Sequence, residues 1–142
     1  MGKEADFSFM ITKDEVMPLL LSACPSFRER WNDLTSEVGF EASPYIDIAE
    51  FVRHLLYLHR ANKMDEFTDV FNVVERMHTE GDSYVRELAT IGFLEGIQNI
   101  LGNSDMDRDN HAVDPNVFVK YLRPESLKSW NDLNDFWNKN AA

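Results

Sequence analysis

The stretch DEFTDVFNVVERMHTE, residues 65–80, repeats its apolar side chains at the spacing of an α-helix. Phe67, Val70, Phe71, Val74 and Met77 recur in steps of three and four, the stripe of a helix laid on a core. Glu66, Asp69, Asn72, Glu75 and Arg76 lie off that stripe. The same rhythm runs along nearly the whole chain, and no segment alternates long enough to make a convincing strand. A chain patterned in this way has to pack helices on helices. The expected fold class is therefore all-α, with short links between antiparallel neighbours.

Local signals divide the chain into helices. Thr12 and Glu15 fit a capping box, with Ile11 and Val16 as a hydrophobic staple. Pro18 follows within two turns and predicts a kink or a late start. A second helix is expected from about Ser26 to Val38, stopped by Gly39. Ser43-Pro44 is an N-cap followed by proline at the first helical position, opening a helix that ends near Asn62. Gly81 ends the helix over 65–80, and Asp82 caps the next. Asp114-Pro115 opens a short helix through Phe118 and Tyr121, and Arg123-Pro124 breaks it. The last helix carries Leu127, Trp130, Leu133 (or Asn134) and Trp137 on one side. The sum is one compact helical domain over residues 1–142, of about seven helices.

The segment DSYVRELATIGFLEGIQNIL, residues 82–101, is apolar nearly all round and is expected at the centre of the fold. Gly92 and Gly96 each cost about 1 kcal/mol of helix propensity against alanine. Their spacing predicts a second helix passing close by. On a wheel of about 100° per residue, Glu95 and Asn99 fall in the apolar sector. A buried carboxylate has to be paired, hydrogen-bonded or neutral. The expectation is a buried polar group of His54, Glu95 and Asn99, with Arg53 as another donor, or else a small pocket there.

Charge and cysteine content narrow the function classes. The formal net charge is −11. Nucleic acid and anionic membranes need clustered Lys and Arg, so both are unexpected partners and a basic protein is favoured. Cys24 is the only cysteine, which leaves no intrachain disulfide and no thiolate metal cluster. No apolar run approaches the ~20 residues of a membrane span. The N-terminus lacks the apolar core of a secretory signal, so a cytoplasmic location is expected.

Catalytic and metal motifs are sparse. Glu75-Arg76-Met77-His78 is a single E-x-x-H, whereas di-iron bundles need two copies and further glutamates. Asp105, Asp107 and Asp109 begin like a calcium loop, but Asn110 and Asn116 stand where glycine and glutamate are required. No phosphate-binding glycine loop or nucleophile elbow is present. No catalytic residue, metal or cofactor is assigned, and the chain reads as a non-enzyme.

Two resemblances add to this reading. Asp82, Val85-Arg86, Ala89 and Leu94 resemble the second helix of a HEAT repeat, which implies stacked helix pairs in the middle of the chain. The span from Phe51 to Asn99, with Phe67, Phe71, Glu75, Glu80-Gly81-Asp82 and Gly92-Phe93-Leu94-Glu95, resembles small bacterial helical proteins grouped as a domain of unknown function. No activity comes with that family. Relatives of this size and charge resemble immunity proteins of bacterial toxin systems. The resemblance implies a domain that blocks a cognate toxin, and the acidic surface favours a nuclease, whose site is built for phosphates. Glu66, Asp69, Glu80, Asp82, Glu87, Asp105, Asp107 and Asp109 are then the expected partner-binding residues. A small-ligand or regulatory module is the alternative.

Overall fold

Thr12 begins the first helix, α1 (Lys13–Ala23), and the carboxylate of Glu15 accepts its main-chain N–H at 2.8 Å. Ile11 and Val16 are both buried, as a staple requires. Pro18 sits inside α1, exposed, and the helix starts on time. The computed structural model describes residues 10–102 and 114–141. A 3₁₀ turn at Pro25–Phe27 leads into a short α2 (Arg28–Thr35). The second helix therefore stops before the expected Val38, and Gly39 turns with φ +84°. Next come α3 (Pro44–Arg60) and α4 (Phe67–Glu80). A long helix follows in three parts: α5 (Ser83–Glu87), a π-helical turn (Leu88–Leu94) and α6 (Glu95–Gly102). A 3₁₀ helix (Pro115–Tyr121) and α7 (Pro124–Ala141) complete the described chain. The seven α-helices and the absence of strands among the described residues make the fold all-α. An isolated bridge joins Ile11 to Gly81, with Ile11 N–H on the Glu80 carbonyl at 2.9 Å.

The helix over residues 83–102 is central, as its composition predicts. Its π-turn packs against α3, α4 and α7, while α1 lies on α4. Consecutive α3 and α4 each rest more heavily on other elements than on one another. Gly92 is where α3 comes close: a Cβ there would stand 3.2 Å from the Tyr45 ring. At Gly96 the neighbour is Val52, at an ordinary 3.9 Å.

Aromatic rings tie these layers together. Phe27 meets Phe51 edge-on at 5.1 Å, Phe51 lies 6.0 Å from Phe93, and Phe93 lies 5.8 Å from Phe71. Phe71 continues to Phe118 at 6.0 Å. All five rings are fully buried. Removing one, as in Phe71→Ala, costs about 4 kcal/mol through lost transfer energy and the cavity left behind. The α4 stripe of Phe67, Val70, Phe71, Val74 and Met77 is buried without exception.

The π-turn changes the helical wheel. The Glu95 N–H bonds the Thr90 carbonyl, five residues back instead of four. Leu88 with Phe93, and Ala89 with Leu94, are five apart and all fully buried. On a regular α-helix five residues would stand about 140° apart and could not share a face. A uniform wheel therefore smears two narrow apolar stripes into an apolar surround. Ile91, inside the π-turn, is 43% exposed for this reason; Tyr84, on α5 ahead of the turn, is 39% exposed. Glu95 is half-buried, not a core residue.

Candidate functional site

Two clusters of polar side chains and one exposed face stand out. The first cluster gathers on His54, near the middle of α3. The 3₁₀ turn brings Ser26 to it, with Ser26 Oγ 2.8 Å from His54 Nε2. Glu66, just ahead of α4, takes a hydrogen bond from the Ser26 hydroxyl at 2.6 Å and from the Ser26 N–H at 3.3 Å. The Cys24 thiol also donates to Glu66, at 3.2 Å. A carboxylate only accepts, so the single hydroxyl proton of Ser26 goes to Glu66. His54 must then donate its Nε2–H to Ser26. A nucleophilic serine needs the reverse polarity, with the imidazole accepting. The His54 ring stacks on Tyr57 at 6.0 Å and lies 5.2 Å from Phe27. Burial pushes His54 below the ordinary histidine range, against the pull of Glu66. Burial also drives the Cys24 thiol up to about 12, so it stays protonated and serves as a donor.

The second cluster contains the E-x-x-H of α4. Glu75 reaches the start of α7, where its carboxylate accepts from Glu125 N–H at 2.9 Å and Ser126 N–H at 3.0 Å. The Ser126 hydroxyl donates to it at 2.9 Å. Glu75 thus caps another helix, satisfying amides that have no partner within α7. His78 Nδ1–H donates to the Val74 carbonyl at 3.0 Å and lies 3.2 Å from Ser126 Oγ. Its Nε2 then accepts from Thr90 of the π-turn at 3.2 Å. Burial pushes Glu75 up, but the two amides, the Ser126 hydroxyl and His78 outweigh it and hold the carboxyl below its usual range. Burial lowers His78, with Val74, Glu75 and Glu125 opposing. Ser126 is fully buried while Glu75 and His78 are half-buried, and the cluster joins α4, the π-turn and α7.

The expected acidic residues fall into different environments. Asp69 and Glu87 are exposed. Glu80 pairs with Arg76 at 3.1 Å. Asp82 caps α5, accepting from Val85 N–H at 2.9 Å. Glu66 is committed to Ser26 and Cys24, so it is not a free surface charge. Asp105, Asp107 and Asp109 lie outside the described residues. His54, Glu95 and Asn99 are not brought together. His54 bonds Ser26, and Arg53 pairs with Glu50 at 3.3 Å. Glu95 makes no hydrogen bond or ion pair among the described residues. Asn99 is exposed beside a cleft with Gln98, Asn134 and Trp137. Ser26 and Ser126, which organise the two clusters, carry no sequence motif; both meet their partners through contacts distant in the chain.

The exposed face is carried by α5, the π-turn and the start of α3. The Tyr84 ring meets Tyr45 edge-on at 6.0 Å, and the Lys13 ammonium lies 5.6 Å above Tyr84. Burial raises the Tyr45 hydroxyl, and nearby Glu87 and Tyr84 raise it further. Tyr84, Glu87 and Ile91 are all exposed on the same helix.

The fold and these features define a single all-helical domain. The family described as Domain of unknown function (DUF7674) matches residues 17–138, a span that includes both polar clusters, and the chain belongs to that family. No curated protein and no solved structure matches. Among the described residues, no helix is long and apolar enough to cross a membrane.

Proposed function

We propose that the protein is an acidic helical binding domain, acting as an immunity protein that neutralises a cognate bacterial toxin. The observation that carries this reading is the face of Tyr45, Tyr84 and Ile91 around Glu87, on a chain of net charge −11. The exposed Tyr84 and Ile91, with Tyr45 half-buried beside them, supply burial at an interface, and the negative field steers a basic partner toward it. A nuclease is the favoured toxin, because a site built for phosphates accepts a surface of carboxylates. The resemblance to immunity proteins and the HEAT-like signature around Asp82 and Val85 add weight to the same reading. On it the protein works in the cytoplasm by occlusion, without catalysis, metal or cofactor, and binds neither nucleic acid nor membrane.

The charges to test are Asp69 and Glu87, together with Asp105, Asp107 and Asp109. Glu66, Asp82 and Glu80 have structural partners, and their substitution mixes folding with binding. The experiment is a pull-down from the native host with tagged protein at low and at high salt. One basic toxin-like protein, held at low salt and weakened at high salt, supports the proposal. Its capture should also fail with Tyr84→Ala or Glu87→Lys. Absence of a specific partner in both conditions overturns it.

A further inference from the structure

A cavity of about 440 Å³ lies between α1, α2, α3 and the π-turn. Val16, Met17 and Leu21 of α1, Trp31 of α2, Ile48 of α3 and Leu88 form apolar walls. Its size is that of a small-molecule site, roughly 300–1,000 Å³. One lining residue does not belong in such walls. Asp47 is 6% exposed, as buried as the core around it.

Half of Asp47 is explained by the fold. Its Oδ2 accepts the Ser43 N–H at 3.2 Å, fixing the start of α3. Its other oxygen has no donor among the described residues, and no cation pairs with it there. The nearest helix neighbour of consequence, Glu50, is itself acidic and paired with Arg30 and Arg53. Lys13 lines the cavity on the exposed first turn of α1, but its ammonium rests over the Tyr84 ring instead. Asp14 adds a second carboxylate to the lining from the same exposed turn. Burial raises the Asp47 carboxyl above the usual range; the Ser43 amide opposes this, and Glu50 adds to it. An apolar chamber with one underused carboxylate is complementary to a cation on a greasy body.

We propose that this cavity binds a small organic cation, a primary amine or guanidine on an apolar body, with Asp47 as its counter-ion. The inference is independent of the toxin reading, since the cavity and its carboxylate stand whatever partner the surface meets.

The test is an NMR titration of the ¹⁵N-labelled full chain with hexylammonium, 1-hexanol and hexanoate in turn. Hexylammonium should bind saturably, about tenfold tighter than 1-hexanol, with hexanoate weakest. The shifted amides should gather at Val16, Met17, Leu21 and Ile48. Asp47→Asn should erase the preference for the amine while leaving 1-hexanol binding in place. Leu21→Trp, which fills the cavity and leaves the Ser43–Asp47 bond intact, should abolish binding of both. The proposal is overturned if the amine binds no tighter than the alcohol. It is equally overturned if the shifts scatter over the acidic surface, since the net charge alone would then explain the binding. The wild-type titration decides these points even if Asp47→Asn fails to fold.

Discussion

The two polar clusters have the same members and opposite settings. Each joins a glutamate, a serine and a histidine, with the serine hydroxyl donating to the glutamate at 2.6 Å or 2.9 Å. Around His78 both ring nitrogens have partners and the serine is fully buried. Around His54 the serine is exposed, and Nδ1 has no hydrogen-bond partner among the described residues. A cleft of about 380 Å³, with Arg30, Tyr57 and Lys63 on its walls, opens beside it. The buried cluster is a joint whose groups are matched one to one. The open cluster has water as a substitute partner and a face on which something else can act. The same three side chains therefore carry different energies, according to whether solvent can replace a lost bond.

The largest test of this contrast is removal of each glutamate. Glu75→Ala leaves the buried Ser126 amide and hydroxyl without their acceptor and should cost about 3 kcal/mol in urea unfolding. Glu66→Ala should cost about 1 kcal/mol, since water reaches Ser26. Equal losses would break the contrast. The serines should follow the same order with smaller effects. Ser126→Ala should cost about 1.5 kcal/mol, and Ser26→Ala less than about 0.5 kcal/mol.

Acid should act next. Both histidines have folded pKa values below their ordinary 6.5. As pH falls through that value, the unfolded chain takes up protons that the folded protein refuses, so stability declines until the folded pKa values are passed. Thermal melts should fall in temperature from pH 7.5 to pH 5.5, and His54→Gln and His78→Gln should each flatten the slope. Glu75 acts in a lower window: its contribution is present above 4.5 and lost as pH falls further. Asp47, raised from 3.8, opposes it there, because its folded form takes up a proton more readily. The smallest effect is at Cys24. With a buried thiol near pKa 12, alkylation at pH 8 should be negligible in the folded protein and complete in urea.

Much of this architecture could be read from residue patterns because its causes are local. The α4 stripe, Thr12 with Glu15, Gly81 with Asp82, and Asp114-Pro115 each act within a few residues. Even so, Asp114-Pro115 opens a 3₁₀ helix, and the start of α3 relies on Asp47 accepting from Ser43 N–H, without a side-chain cap from Ser43. The candidate sites were less legible. Glu66 looked like surface charge because nothing near it in sequence names Ser26 or Cys24, some forty positions earlier. Glu75 and His78 were visible as a pair, but Ser126, which joins them, was not. The exposure of Ile91 is hidden from a wheel of constant period, which has no place for a π-turn.

That π-turn also bears on how relatives should be compared. It is an extra residue carried inside a helix, where insertions are seldom looked for. Deleting one residue between Leu88 and Leu94 would restore an unbroken α-helix with Val85 and Ile97 still facing the core, whereas winding the undeleted sequence as a regular α-helix would rotate Glu95–Gly102 by about 100° and turn Ile97 out. Against a homologue with a regular helix, the right alignment has its gap in mid-helix. An alignment that confines gaps to loops will misplace either Val85–Ala89 or Phe93–Ile97, and with them the positions on which any family-wide pattern is judged.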